Sequence, residues 1–143
     1  MNEKSTVLEL DASIDNLMPV RTAVTAFALE AGYSDHQVLR IELVIEEAFL
    51  NVVHHAYHDQ GGKVAIHYEL TADSHLQVTI IDHAAPFFAG PDALLPPEGS
   101  IDERQPGGCG LTIIRSMTRS AIWQRDDDRN SLLMVFDPPD SGN

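Results

Sequence analysis

Three groups of residues stand at spacings that could serve chemistry. In Glu46-Glu47-Ala48-Phe49-Leu50-Asn51, Glu47 and Asn51 are four residues apart in a helical pattern. They share a face, turned away from part of the helix's apolar stripe. An amide oxygen of Asn51 can join the shell of a Mg²⁺ ion, which takes oxygen ligands and keeps some waters. A carboxylate one turn away can orient or deprotonate a hydroxyl or water that attacks a phosphate. A Glu and an Asn on a helix also make an ordinary solvated face. The second group is Asp82, which closes the apolar run Ile80-Ile81 and opens into His83-Ala84-Ala85-Pro86-Phe87. A carboxylate at such a strand end can accept a hydrogen bond from an amino group such as that of adenine, and it also forms turns. The third is Pro106-Gly107-Gly108-Cys109-Gly110-Leu111 at the start of a helical segment. Its glycines let backbone N–H groups approach a phosphate, and a helix N-terminus favours anions. The plainer alternative is a flexible loop closing on a helix.

Other reactive residues form less complete sets. His54 and His58 are four apart, as zinc-binding pairs are. A catalytic zinc site wants a third protein ligand, and the sequence places none. His55 falls on the apolar stripe and is expected to be packed. Cys109 at a helix start would have a lowered thiol pKa. It lacks a base placed beside it and reads as a small loop residue. Ile122, Trp123 and Phe136 lie on strand patterns and are expected in the core.

The elements that must position these groups follow from periodicity and punctuation. Thr6 to Leu10 reads as a short strand. Ser13 or Asp15 caps a helix to about Glu30, with Leu17, Val20, Val24, Phe27 and Ala28 at helical spacing and Gly32 as its stop. Ser34 or Asp35 caps a second helix to about Tyr57. Its stripe is Val38, Ile41, Val44, Ile45, Ala48, Val52 and His55. Strands Lys63 to Thr71 and Leu76 to Asp82 flank a polar hairpin turn. From Ala84 to Pro106 the chain is irregular and rich in Pro and Gly, long enough to be a functional lid. A helix from about Gly110 to Ser120 and strands Ala121 to Arg125 and Ser131 to Phe136 complete the order β-α-α-β-β-loop-α-β-β. Hairpin strands with grouped helices predict an α+β, two-layer sandwich whose mixed, mostly antiparallel sheet is covered on one face by helices. The expected organisation is one domain over 1–137 and a flexible C-terminal tail over 138–143.

Composition narrows the function classes. The 143 residues carry 22 Asp and Glu against 9 Lys and Arg, a net charge of −13. That charge repels phosphate backbones and anionic lipid, so direct nucleic-acid or membrane binding is not expected. It fits a basic partner, or solubility alone. A single cysteine precludes an internal disulfide. The absence of a long apolar run or an apolar leader points to the cytoplasm.

Together, in this order, the three groups resemble the motifs of a known family. Glu47-Ala48-Phe49-Leu50-Asn51 with His55-Ala56-Tyr57 is similar to the E-A-x-x-N-x-x-x-H-A-Y form of the N box. Asp82 to Phe87 resembles the D-x-G-x-P-F adenine motif, and Gly108-Cys109-Gly110-Leu111 resembles the G-x-G-L lid motif. These belong to the GHKL, or histidine-kinase-like, ATPase superfamily. The short build and the E-A-x-x-N variant resemble its anti-sigma-factor serine/threonine kinases. The resemblance spans nearly the whole chain, from the first strand to Phe136. It implies a Bergerat fold, with ATP and Mg²⁺ as cofactors. Glu47 would be the general base, Asn51 the Mg²⁺ ligand and Asp82 the adenine partner. Ala84 and Pro86 would lie along the adenine segment, and Gly108, Gly110 and Leu111 in the lid. The implied partners are an anti-anti-sigma-factor domain, phosphorylated on Ser or Thr, and a sigma factor. Homodimers are common among such proteins. The pattern departs at Ala84, where the motif has glycine, and Arg104 and Arg115 are the few cations near the lid. That departure motivates an alternative: a non-catalytic partner-switching module with a degenerate or weak nucleotide site.

Overall fold

The computed structural model describes residues 5–86, 93–94 and 108–140. Strand β1 (Ser5–Asp11) leads through a 3₁₀ turn, Ile14–Asn16, into helix α1 (Leu17–Glu30). The Ser13 hydroxyl caps that turn by accepting from the Asp15 N–H at 3.2 Å. Gly32, at φ +100°, ends α1 in the left-handed conformation that glycine adopts without strain. Helix α2 (Asp35–Asn51) begins with a full capping box: Gln37 N–H donates to Ser34 Oγ, and Ser34 N–H donates to Gln37 Oε1. Strands β2 (Lys63–Leu70), β3 (Leu76–Asp82) and β4 (Ala93–Leu94) follow. Helix α3 (Gly108–Met117) precedes the hairpin of β5 (Ser120–Asp126) and β6 (Arg129–Val135).

The strands form one sheet in the order β1-β2-β3-β6-β5-β4, and every pairing is antiparallel. The expected α+β sandwich is therefore present. Alternation sets its two faces. Val64, Ile66 and Tyr68 of β2, Val78, Ile80 and Asp82 of β3, and Asn130, Leu132 and Met134 of β6 are buried, while their neighbours are more exposed. The buried stripes Val20-Val24-Ala28 of α1 and Val38-Ile41-Val44-Ile45-Ala48 of α2 share that core. Helix α2 lies centrally and packs against both α1 and α3. Phe27 meets Tyr68 edge-on, with ring centroids 5.0 Å apart.

One local expectation needs correction. The α2 pattern does not run as α-helix to Tyr57; residues Val52–Ala56 form a π-helical turn. The wider turn advances the face, so Val53 and Ala56 are buried, while His55 is only partly buried. Burial and the neighbouring His54 lower the pKa of His55. Helix α3 also starts and stops slightly earlier than its pattern suggests. Of the irregular stretch 84–106, the described part contains the two-residue β4, paired with β5 through Ala93 to Trp123 and Leu94 to Ile122. Residues 87–92 and 95–107, including Arg104 and much of the expected lid, lie outside the described residues. Of residues 138–143, the described part lies along the start of α2. There Gln37 Nε2–H donates to the Pro138 carbonyl at 3.1 Å, and Asp140 N–H donates to Gln37 Oε1 at 3.0 Å.

Candidate functional site

Helix α2 brings Glu47 and Asn51 to its last turns, but in unlike surroundings. Asn51 falls one heptad after buried Val44 and is itself only 8% exposed. Glu47 is half-buried. Its neighbour Glu46 is engaged elsewhere: Arg21 of α1 reaches Glu42 at 3.0 Å and Glu46 at 3.4 Å. The side chains of Glu47 and Asn51 take no hydrogen bond or ion pair among the described residues. A carboxylate and an amide are thus left open one turn apart. Among the described residues no group of three His, Cys, Asp or Glu side chains could hold a metal. The neutral oxygen of Asn51 cannot hold a cation alone. It suits a Mg²⁺ ion that arrives with phosphate oxygens and waters as its other ligands.

The π turn carries the chain from Asn51 to Tyr57, which ties the N-box segment to the end of β3. The Tyr57 hydroxyl donates to the Lys63 carbonyl at 2.7 Å and accepts from the His83 N–H at 2.8 Å. Burial is the main cause raising the pKa of that phenol, and the Asp82 charge adds to it. Both features keep it a neutral donor. Gly62 makes this possible, because a Cβ there would overlap the Tyr57 ring. The turn after Ala56 places His58 and Asp59 at φ 51° and 63°, and Asp59 Oδ1 meets His54 Nδ1 at 2.5 Å. His54 therefore faces a carboxylate, not a second zinc ligand.

Asp82 is the most enclosed of the candidate groups, at 1% exposure. Its Oδ1 accepts from Asn130 Nδ2–H at 2.8 Å and from the Ala84 N–H at 2.9 Å. Burial pushes its pKa up, and the bonds from Asn130 and Ala84, with the charges of His83 and Arg125, pull it back. Ala84 stands where the adenine motif has glycine. It is buried, and it is absent from the described residues with positive φ. The backbone here does not require glycine, so the substitution introduces no conformational strain. Pro86 is exposed at the edge of the described segment.

Two residues of this site were not among the sequence candidates. Asn130 is 0% exposed and pairs across the sheet with Asp82. Its position was readable, since it opens the inward series Asn130-Leu132-Met134-Phe136 and is the only polar member. Arg125, near the end of β5, donates to the Ala84 carbonyl at 2.7 Å and to Asn130 Oδ1 at 3.2 Å. Nothing in the strand pattern distinguishes it from a solvated arginine. Gly108 and Gly110 form the first turn of α3, which packs along α2. Leu111 follows them in the helix. Arg115 is exposed on the same helix.

The sequence pattern of the histidine kinase-like ATPase domain matches residues 10–136. The chain is 30% identical over 137 residues to serine/threonine-protein kinase BtrW of Bordetella bronchiseptica, covering 94% of this chain and 95% of that protein. It is 32% identical over 111 residues to serine-protein kinase RsbW of Halalkalibacterium halodurans, covering 75% of this chain and 67% of that one. The crystal structure of the RsbU and RsbW domains of Rv1364c from Mycobacterium tuberculosis matches with a TM-score of 0.66 at 18% identity. That match covers 92% of this chain but only 31% of the other, and it concerns the fold alone.

Proposed function

This chain belongs to the histidine kinase-like ATPase domain family, among the anti-sigma-factor serine kinases, and from that premise we propose that it transfers phosphate from ATP to a serine or threonine of a small anti-anti-sigma-factor domain. The observation that carries the mechanism is the open Glu47 carboxylate one turn from the buried Asn51 amide, with Glu46 held aside by Arg21. Glu47 accepts the proton of the partner's hydroxyl. The hydroxyl oxygen then bonds to the γ-phosphorus as the bond to the ADP oxygen breaks, and ADP leaves. Asn51 would supply an oxygen to Mg²⁺, which would neutralise phosphate charge. Asp82 accepts from the adenine amino group, with Ala84 and Pro86 beside it. Gly108, Gly110 and Leu111 begin the helix whose N–H groups face phosphate.

In the same proposal a sigma factor is the second partner, and the two proteins exchange on one kinase in the cytoplasm. The chain's net charge of −13 suits a basic surface on a partner. Replacing Glu47 with Ala tests the catalytic role. Transfer to the partner protein is expected to fall by at least about a hundredfold, the scale of a lost general base, while ATP affinity stays within about twofold. Transfer that survives in Glu47→Ala assigns the base elsewhere.

A further inference from the structure

Around Asp82 the polar groups form a directional chain that begins outside the adenine motif. Arg125 can only donate, and Asp82, when ionised, can only accept. Asn130 stands between them, so its amide has one consistent orientation: oxygen toward Arg125 at 3.2 Å, nitrogen toward Asp82 at 2.8 Å. The same Asn130 nitrogen reaches the Ala84 and Ala85 carbonyls at 3.3 Å, and Arg125 also holds the Ala84 carbonyl at 2.7 Å. The Ala84 N–H closes the ring onto Asp82. One guanidinium thus fixes both the turn after Asp82 and the amide that orients the carboxylate. The chain crosses from β5 through β6 to β3, using the paired positions Arg125–Asn130 and Asn130–Asp82.

We propose that Arg125, acting through Asn130, is the positioning residue that keeps Asp82 an ionised, correctly aimed acceptor and so sets the preference for a 6-amino over a 6-oxo purine nucleotide. It rests on the reading of Asp82 as the adenine partner. An ionised carboxylate accepts from a 6-amino group and repels a 6-oxo group. Without the relay the buried carboxyl takes up a proton more readily and can donate to a 6-oxo group. Removing Arg125 therefore changes which base is preferred, and not only how tightly nucleotides bind.

The test is calorimetric titration of the full chain with Mg-ATP and Mg-ITP, for wild type and Arg125→Met. Wild type is expected to prefer ATP by about ten- to a hundredfold, the worth of a hydrogen bond to a charged group. In Arg125→Met the ratio of the two affinities should fall at least fivefold, with weaker ATP binding and stronger or unchanged ITP binding. A purely structural role would weaken both nucleotides together and leave the ratio intact, which would overturn the relay. Wild type that does not distinguish the two nucleotides removes the Asp82 reading itself, and the relay with it. Should Arg125→Met not fold by circular dichroism, Arg125→Gln carries the same comparison, since it keeps a polar N–H donor but loses the charge and the reach of the guanidinium nitrogen that meets both the Ala84 carbonyl and Asn130 Oδ1. An intermediate ratio then supports the relay, and a wild-type ratio overturns it.

Discussion

At the residue scale, burial gives Asp82 an effect on stability opposite to that of a typical surface carboxylate. Its pKa in the folded chain lies above the usual value, chiefly through desolvation. The folded state therefore holds that proton more tightly than the unfolded state. The resulting stabilisation is complete below the usual carboxylate range and is lost as pH rises through the raised value. At neutral pH the charged group thus costs stability, a cost that the proposed role in nucleotide binding would account for. Asp82→Asn keeps an oxygen to accept from Asn130 and the Ala84 N–H. It should melt higher than wild type at pH 7, with the gap closing as pH falls through the carboxylate range, and it should lose ATP affinity by about ten- to a hundredfold. A lower melting temperature at pH 7 would mean that the paired carboxylate is net stabilising. Sequence alone singled out Glu47, Asn51 and Asp82 as candidates, because their separation and their place at element ends are visible in one dimension. It suggested that Ala84 was an obstacle. The backbone there lies outside the left-handed region, and φ is not encoded by residue type. Arg125 was invisible for a related reason: its partners, the Ala84 carbonyl and the Asn130 side-chain oxygen, are brought near only by the β5–β6–β3 pairing.

At the scale of elements, the π turn and the Tyr57 bridge connect the helix bearing Glu47 and Asn51 to the strand bearing Asp82. The phenol hydroxyl sits between Lys63 and His83 with both contacts made, so its ring has little room to retreat. Gly62→Ala places a methyl group in that ring's volume. The expected cost is about 2 kcal/mol of unfolding free energy, from overpacking and one lost hydrogen bond. ATP affinity should fall as well, because the two motifs lose their common tie. Urea titration and calorimetry on the same variant check both effects, and a variant as stable as wild type would show that the ring moves aside freely. Apart from the two-residue β4, strand and helix identities were legible, since alternation in β2, β3 and β6 and the α2 stripe each track one buried face. The π turn was not. A single extra residue in a turn leaves the apolar spacing nearly unchanged, and only the burial of Val53 and Ala56 in place of His55 reveals it.

At the scale of the molecule, the described residues form one antiparallel sheet and three α-helices, which place the end of α2 beside α3 and tie it to the end of β3. The fold class was legible because grouped helices among hairpin strands leave few ways to bury both faces. The order of strands across the sheet was less so, since β6 joins β3 while β5 stands outside it, a choice fixed by cross-sheet pairs such as Asp82 with Asn130. In the proposed site, the net charge of −13 and the one amide oxygen of Asn51 would have the triphosphate arrive with its own cation. Calorimetric titration with ATP, with and without Mg²⁺, on wild type and Asn51→Ala is the most direct test of the proposed nucleotide site. Saturable binding that needs Mg²⁺ and weakens at least about tenfold in Asn51→Ala is the predicted result. Folded wild-type protein that binds no ATP up to millimolar concentration would contradict it.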